Sequence, residues 1–123
     1  MILIRVAGKW SSKTKNKEKD MAISVNMEIK DGLLEIPVAT TEFYKMYWDP
    51  AIEECGLKVF HEYTSFGKKQ LYEVLSELER LSQWTEINLV GKEYVYMHGR
   101  IEMLKEEIPK MFEKDESTIL YID

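Results

Sequence analysis

The stretch MAISVNMEIKDGLLEIPV, residues 21–38, constrains the fold more than any other part of the chain. Asp31-Gly32 is a strong hairpin-turn signal, because a type I′ turn needs positive φ at both central positions and these residue types tolerate it at least cost. Along the first arm, Ile23, Val25, Met27 and Ile29 alternate with Ser24, Asn26, Glu28 and Lys30. Successive side chains of a strand point to opposite faces, so the arm reads as an antiparallel strand with one apolar face and one wet face. Residues 1–8, MILIRVAG, are apolar and rich in β-branched side chains, and read as a further strand. The three strands together predict an N-terminal meander.

An apolar sheet face has to be covered, and the remaining chain supplies helical patterns to cover it. In TTEFYKMYWDPAIEECG, residues 40–56, Thr40 or Thr41 suits an N-cap and Gly56 suits a helix end. Asp49-Pro50 interrupts the pattern, which predicts one helix kinked at Pro50 or two short ones. LKVFHEYTSF, residues 57–66, reads as a short strand. In GKKQLYEVLSELERLSQW, residues 67–84, Leu71, Val74, Leu75, Leu78 and Leu81 follow helical spacing, with Glu73, Glu77 and Arg80 on the opposite, solvated side. Tyr94, His98, Ile101, Leu104 and Ile108 repeat that spacing and predict a helix over about 92–107, with Pro109 breaking or restarting it, although EYVYM alone resembles a strand. The closing STILYID is nearly all apolar and reads as a central or well-covered strand. KWSSKTKNKEKD, residues 9–20, has no apolar periodicity after Trp10 and reads as a flexible, lysine-rich hairpin loop. The expectation is α+β: one domain over 1–123, a mixed or antiparallel sheet of about five strands with the C-terminal strand inserted, and about three helices mainly on one face.

Composition narrows the function classes. One cysteine excludes an internal disulfide framework, no leader of signal-peptide character opens the chain, and no run reaches the roughly 18 apolar residues of a membrane helix, so the chain is expected to be cytoplasmic. The net charge of -5 is uneven: residues 1–30 carry seven Lys/Arg against three acids, and the rest carries ten against nineteen. An acidic bulk repels phosphate backbones, which argues against nucleic acid and for a basic protein partner.

TEFYKMYWDP, residues 41–50, holds Phe43, Tyr44, Tyr47 and Trp48. On an ideal helix of roughly 100° per residue, the apolar arc runs from Phe43 and Tyr47 at one edge through Tyr44 and Trp48 to Ile52 at the other. That arc is wider than one core contact needs. Either all the rings are core, or Tyr44 and Trp48 sit partly exposed and anchor a partner, with Asp49, Glu53 and Glu54 beside them. No catalytic motif accompanies them. His98 and Glu102 are an i, i+4 pair without a metal-site pattern, and no metal or cofactor is expected. Cys55 lies on the apolar arc and reads as an inert thiol. Cys55 and Ser65 also lack the context of a catalytic nucleophile.

The stretches VNMEIKDGLLEIPV, TTEFYKMYWDPAIEEC and ESTILYID give the chain an overall character that resembles bacterial immunity proteins of polymorphic or contact-dependent toxin systems. The resemblance implies a non-catalytic inhibitor: acidic side chains and one or two rings that cover the cationic active site of a toxin domain. The alternatives are an enzyme using His61 or His98 as general base, and a housekeeping homodimer.

Overall fold

The computed structural model describes residues 3–6, 22–30, 32–113 and 115–123. Its five strands are β1 (Leu3–Val6), β2 (Ala22–Ile29), β3 (Gly32–Thr40), β4 (Thr64–Gly67) and β5 (Ile119–Ile122). They form one sheet in the order β1-β3-β2-β5-β4, and every pairing is antiparallel. The expected α+β class, the five strands and the insertion of the C-terminal strand between β2 and β4 are all present. The meander is not: β1 pairs with β3 rather than β2. β5 occupies the second edge of β2, so β1 adds to the outer edge of the hairpin instead. The lysine-rich loop 9–20 and Asp31 lie outside the described residues. The register departs from the expected turn: an Asp31-Gly32 turn would set Lys30 against Leu33, whereas Ile29 stands opposite Gly32 and Glu28 opposite Leu33, so Gly32 is the first residue of β3 and not a central turn residue.

The wet face expected for β2 is covered over its first half. Ser24 and Asn26 are buried along with Ile23 and Val25, while Glu28 and Lys30 at the hairpin end of that face stay exposed. The cause is position: β2 is the central strand, with Pro37 opposite Ser24, and Glu35 and Tyr121 flanking Asn26. A small polar side chain between taller neighbours loses its water.

The helical layer has three parts. α1 is a helical run over 41–55, built from Thr41–Phe43, a π-helical turn Tyr44–Trp48 and Asp49–Cys55. Thr40 caps it, its Oγ1 accepting from the Phe43 N–H at 3.2 Å, and Gly56 ends it at φ 67°, in the left-handed region that glycine enters freely. The run neither breaks nor restarts at Pro50. The Asp49 N–H reaches back to the Tyr44 carbonyl, one residue further than in an α-turn. Pro50 has no N–H to return and would crowd the carbonyl four residues back, and a wide turn just before it accommodates both. α2 is Leu71–Asn88, entered through the tight turn Lys68–Gln70, and α3 is Gly91–Met111. EYVYM is therefore helical, and Pro109 sits inside the last turn of α3 rather than ending it. Only one helical bond is forfeited there, and Ile108 and Met111 on either side are buried in the core, which holds the turn in place.

Sheet and helices share one core. Val25, Ile36, Val38, Phe66, Leu120 and Ile122 from the sheet meet Val74, Leu78, Leu81, Met97, Ile101 and Leu104 from α2 and α3. Each large apolar side chain so buried is worth about 1.5–3 kcal/mol relative to exposure.

Candidate interaction surface

Tyr44 and Trp48 are not exposed anchors. Tyr44 is 1% and Trp48 0% exposed, their rings stack at 6.0 Å between centroids, and Trp48 also meets Phe60 at 6.2 Å. They occupy the middle of the apolar arc, which is the part that faces the sheet. The exposed flank is the opposite choice, Phe43 and Tyr47 at the arc's edge. These two rings lie 4.6 Å apart, both half-buried, and Phe43 packs edge-on against Tyr96 of α3 at 4.5 Å. The Arg100 guanidinium lies 5.5 Å from the Tyr96 ring. Burial pushes the Tyr44 hydroxyl well above the ordinary tyrosine range, and the Asp49 carboxylate adds to the effect.

Asp49, Glu53 and Glu54 are exposed on the second half of α1. Among the described residues, none of the three forms an ion pair with a Lys or Arg. Glu54 is held by the Trp84 indole, whose Nε1 donates to Oε1 at 2.9 Å. Glu53 and Glu54 sit in the last turn of the helix, where the macrodipole is negative and disfavours further negative charge by about 0.3–1 kcal/mol per group. No basic residue occupies that turn. Arg80 of α2 reaches the helix end, but its Nη1 donates to the Cys55 carbonyl at 2.8 Å. Glu53 and Glu54 are thus placed against the electrostatic preference of their own helix end.

Acids elsewhere are used differently. Glu77, read from the sequence as solvated, is 0% exposed. Its carboxylate accepts the backbone N–H groups of Lys58 at 2.9 Å, Val59 at 3.2 Å and Phe60 at 2.7 Å. Those N–H groups are spent on Glu77 and not on a ladder, so the strand expected over 57–66 shrinks to β4. A glutamate at an otherwise polar helical position gives no sequence signal of this role. Lys105 of α3 bridges Glu79 at 2.7 Å and Glu102 at 3.2 Å, and Ser82 donates to Glu102 at 3.1 Å.

His98 lies 3.7 Å from Glu86 and 3.9 Å from Glu102, with its ring stacked on Tyr94. His61 Nδ1 is 3.1 Å from the Glu62 carbonyl. Among the described residues no group of His, Cys, Asp and Glu is arranged to hold a metal ion, and no helix is long and apolar enough to cross a membrane. Cys55 is half-buried; burial raises its thiol pKa, partly countered by Arg80. Two grooves, of about 440 and 260 Å³, lie beside Lys68–Gln70 and beside β4, and neither includes a histidine. Comparison with family models, curated proteins and solved structures returns no match.

Proposed function

We propose that this chain is a small acidic binding protein of the immunity type, one that neutralises a basic toxin domain by covering its active site. The observation that carries the reading is the ridge of Asp49, Glu53 and Glu54: exposed and without ion partners among the described residues, with Glu53 and Glu54 set against the dipole of their own helix end. Negative charge that does not serve the fold is charge available to a partner, where it speeds encounter and selects for basic surfaces. Glu54 is pre-oriented by Trp84, which lowers the ordering cost of binding. The half-buried Phe43, Tyr47 and Tyr96 replace Tyr44 and Trp48 as the rings accessible to a partner, and such rings receive Lys and Arg side chains well.

The test uses the chain and its Asp49→Lys/Glu53→Lys variant as baits in lysate of the source organism at moderate salt. A basic protein retained by the wild type and lost by the variant is then expressed alone and with each form. Growth arrest by that protein, relieved by the wild type and not by the variant, supports the reading. Capture that ignores the charge reversal, or a captured protein with no toxicity to relieve, sinks it.

A further inference from the structure

β1 and β2 run in the same direction with β3 between them, since each pairs antiparallel with β3. The chain leaves β1 at Val6, beside the Gly32 end of β3, and enters β2 at Ala22, beside the Thr40 end. Residues 7–21, outside the described residues, therefore connect opposite ends of the sheet. The length of β2 and two strand spacings make a diagonal of roughly 25–30 Å, and a chain of that length reaches up to about 50 Å. The connection crosses one face of the sheet or rounds its β1 edge.

Handedness selects the face. Ser24 and Asp123 exchange backbone hydrogen bonds at 3.0 and 2.9 Å, so Ser24 bonds toward β5 and Val25, next along, toward β3. The Val25 side chain points into the core beneath the helices. Seen from the side its side chain faces, with the strand running upward, an L-residue has its N–H and C=O on the right. Viewed from the helices, β3 thus lies to the right of β2, with β1 beyond it. Viewed from the opposite, outer face, β2 stands to the right of β1, and a connection in front of that face is right-handed. Connections between parallel strands take that hand in about 98% of cases.

Burial on the outer face agrees. The three helices pack on the face of Val25, Ile36 and Val38. Glu35 of β3 points the other way, yet is only 7% exposed, a value that strand neighbours alone do not give to so long a side chain. On the same face of β5, Ile119 and Tyr121 are 42% and 41% exposed. The covered half is thus the one between β1 and β2. Asn26 beside Glu35 is also buried, and its Oδ1 has no hydrogen-bond partner among the described residues, which leaves an acceptor for a donor from outside them.

We propose that the β1–β3–β2 half of the outer face is an intramolecular docking surface for the chain's own lysine-rich segment, residues 9–20. Charge complementarity favours this occupant: the segment carries five lysines against two acids, and the face carries Glu28 and Glu35. Its lysines then meet acids of this chain, while the α1 ridge on the helical side keeps its acids for a partner. The inference is independent of the proposed inhibitor role.

Carbodiimide coupling, which joins an amine only to a carboxyl in contact with it, tests the proposal on the native chain. Mass spectrometry of the digest is expected to find Lys13, Lys15, Lys17 or Lys19 joined to Glu28 or Glu35. Links that run only to acids of α1, α2 or α3, or no link to the outer face, overturn it. Thiol labelling in a Cys55→Ala chain gives a second reading. Reversing Lys13, Lys15, Lys17 and Lys19 to glutamate is expected to speed labelling of Asn26→Cys by about tenfold. Ser65→Cys, on β4 and away from the covered half, should label at the same rate with or without the reversal. An Asn26→Cys rate indifferent to the reversal, or an equal gain at both positions, overturns the proposal.

Discussion

The carboxylates of α1 and those of α2 and α3 belong to one helical layer but lead different lives. On α2 and α3, Glu77 accepts three backbone N–H groups, Glu79 and Glu102 accept from the Lys105 ammonium, and Glu86 lies 3.7 Å from the His98 ring, while the exposed Glu73 has no such partner among the described residues. On α1, Asp49 and Glu53 find none among the described residues, and Glu54 finds only an indole. Acidity as a composition figure hides this division. The first group serves the fold, and the second is surplus to it.

The largest break in that comparison is Glu77→Ala. It orphans three N–H groups in the interior, and removing a buried charged partner costs about 3–5 kcal/mol. Urea unfolding is expected to show that loss, and a loss below about 1 kcal/mol would mean that segment 57–63 is held by something else.

Lys105→Ala is smaller, within the 0.2–1 kcal/mol of exposed pairs. Its pH dependence carries a sign. The hydrogen bond to Lys105 holds the Glu79 carboxyl below its ordinary value, and the bond to Glu79 raises Lys105 above its own. The Glu79 contribution is present above the ordinary carboxylate range and lost as pH falls through the lowered value. The Lys105 contribution is present below the ordinary lysine range and lost as pH rises through the raised value. The difference between wild type and variant should form a plateau at intermediate pH and shrink on both sides. A difference that stays flat into strong acid would remove Glu79 from the account.

Glu53→Lys is the smallest in stability and opposite in sign. Replacing an unpaired acid by a base in the last helical turn should stabilise by a few tenths of a kcal/mol, read as a small rise in melting temperature. The same change should weaken partner binding. A residue whose loss improves the fold and harms binding is set for function; a destabilising Glu53→Lys would place Glu53 with Glu77 instead.

Much of the architecture was legible because short-range periodicity encodes it. The β2–β3 hairpin followed from alternation, α2 from Leu71, Val74, Leu78 and Leu81, and the cap and stop of α1 from Thr40 and Gly56. Local chemistry also placed the acid ridge on an exposed helix surface. Where two patterns competed, as in EYVYM, the tertiary contact of Met97 and Ile101 with the sheet decided for helix.

What the residues alone determined is therefore the class of the fold, its apolar faces and the stock of charge. What only the tertiary structure decided is which neighbours each residue meets: β1 beside β3, Tyr44 and Trp48 inward with Phe43 and Tyr47 at the rim, Glu77 beneath three amides, and Ser65 at an open edge. The reason is range. Periods of two and 3.6 residues are written along the chain, whereas strand order, the partner of a buried carboxylate and the choice between core and rim depend on contacts between residues far apart in sequence.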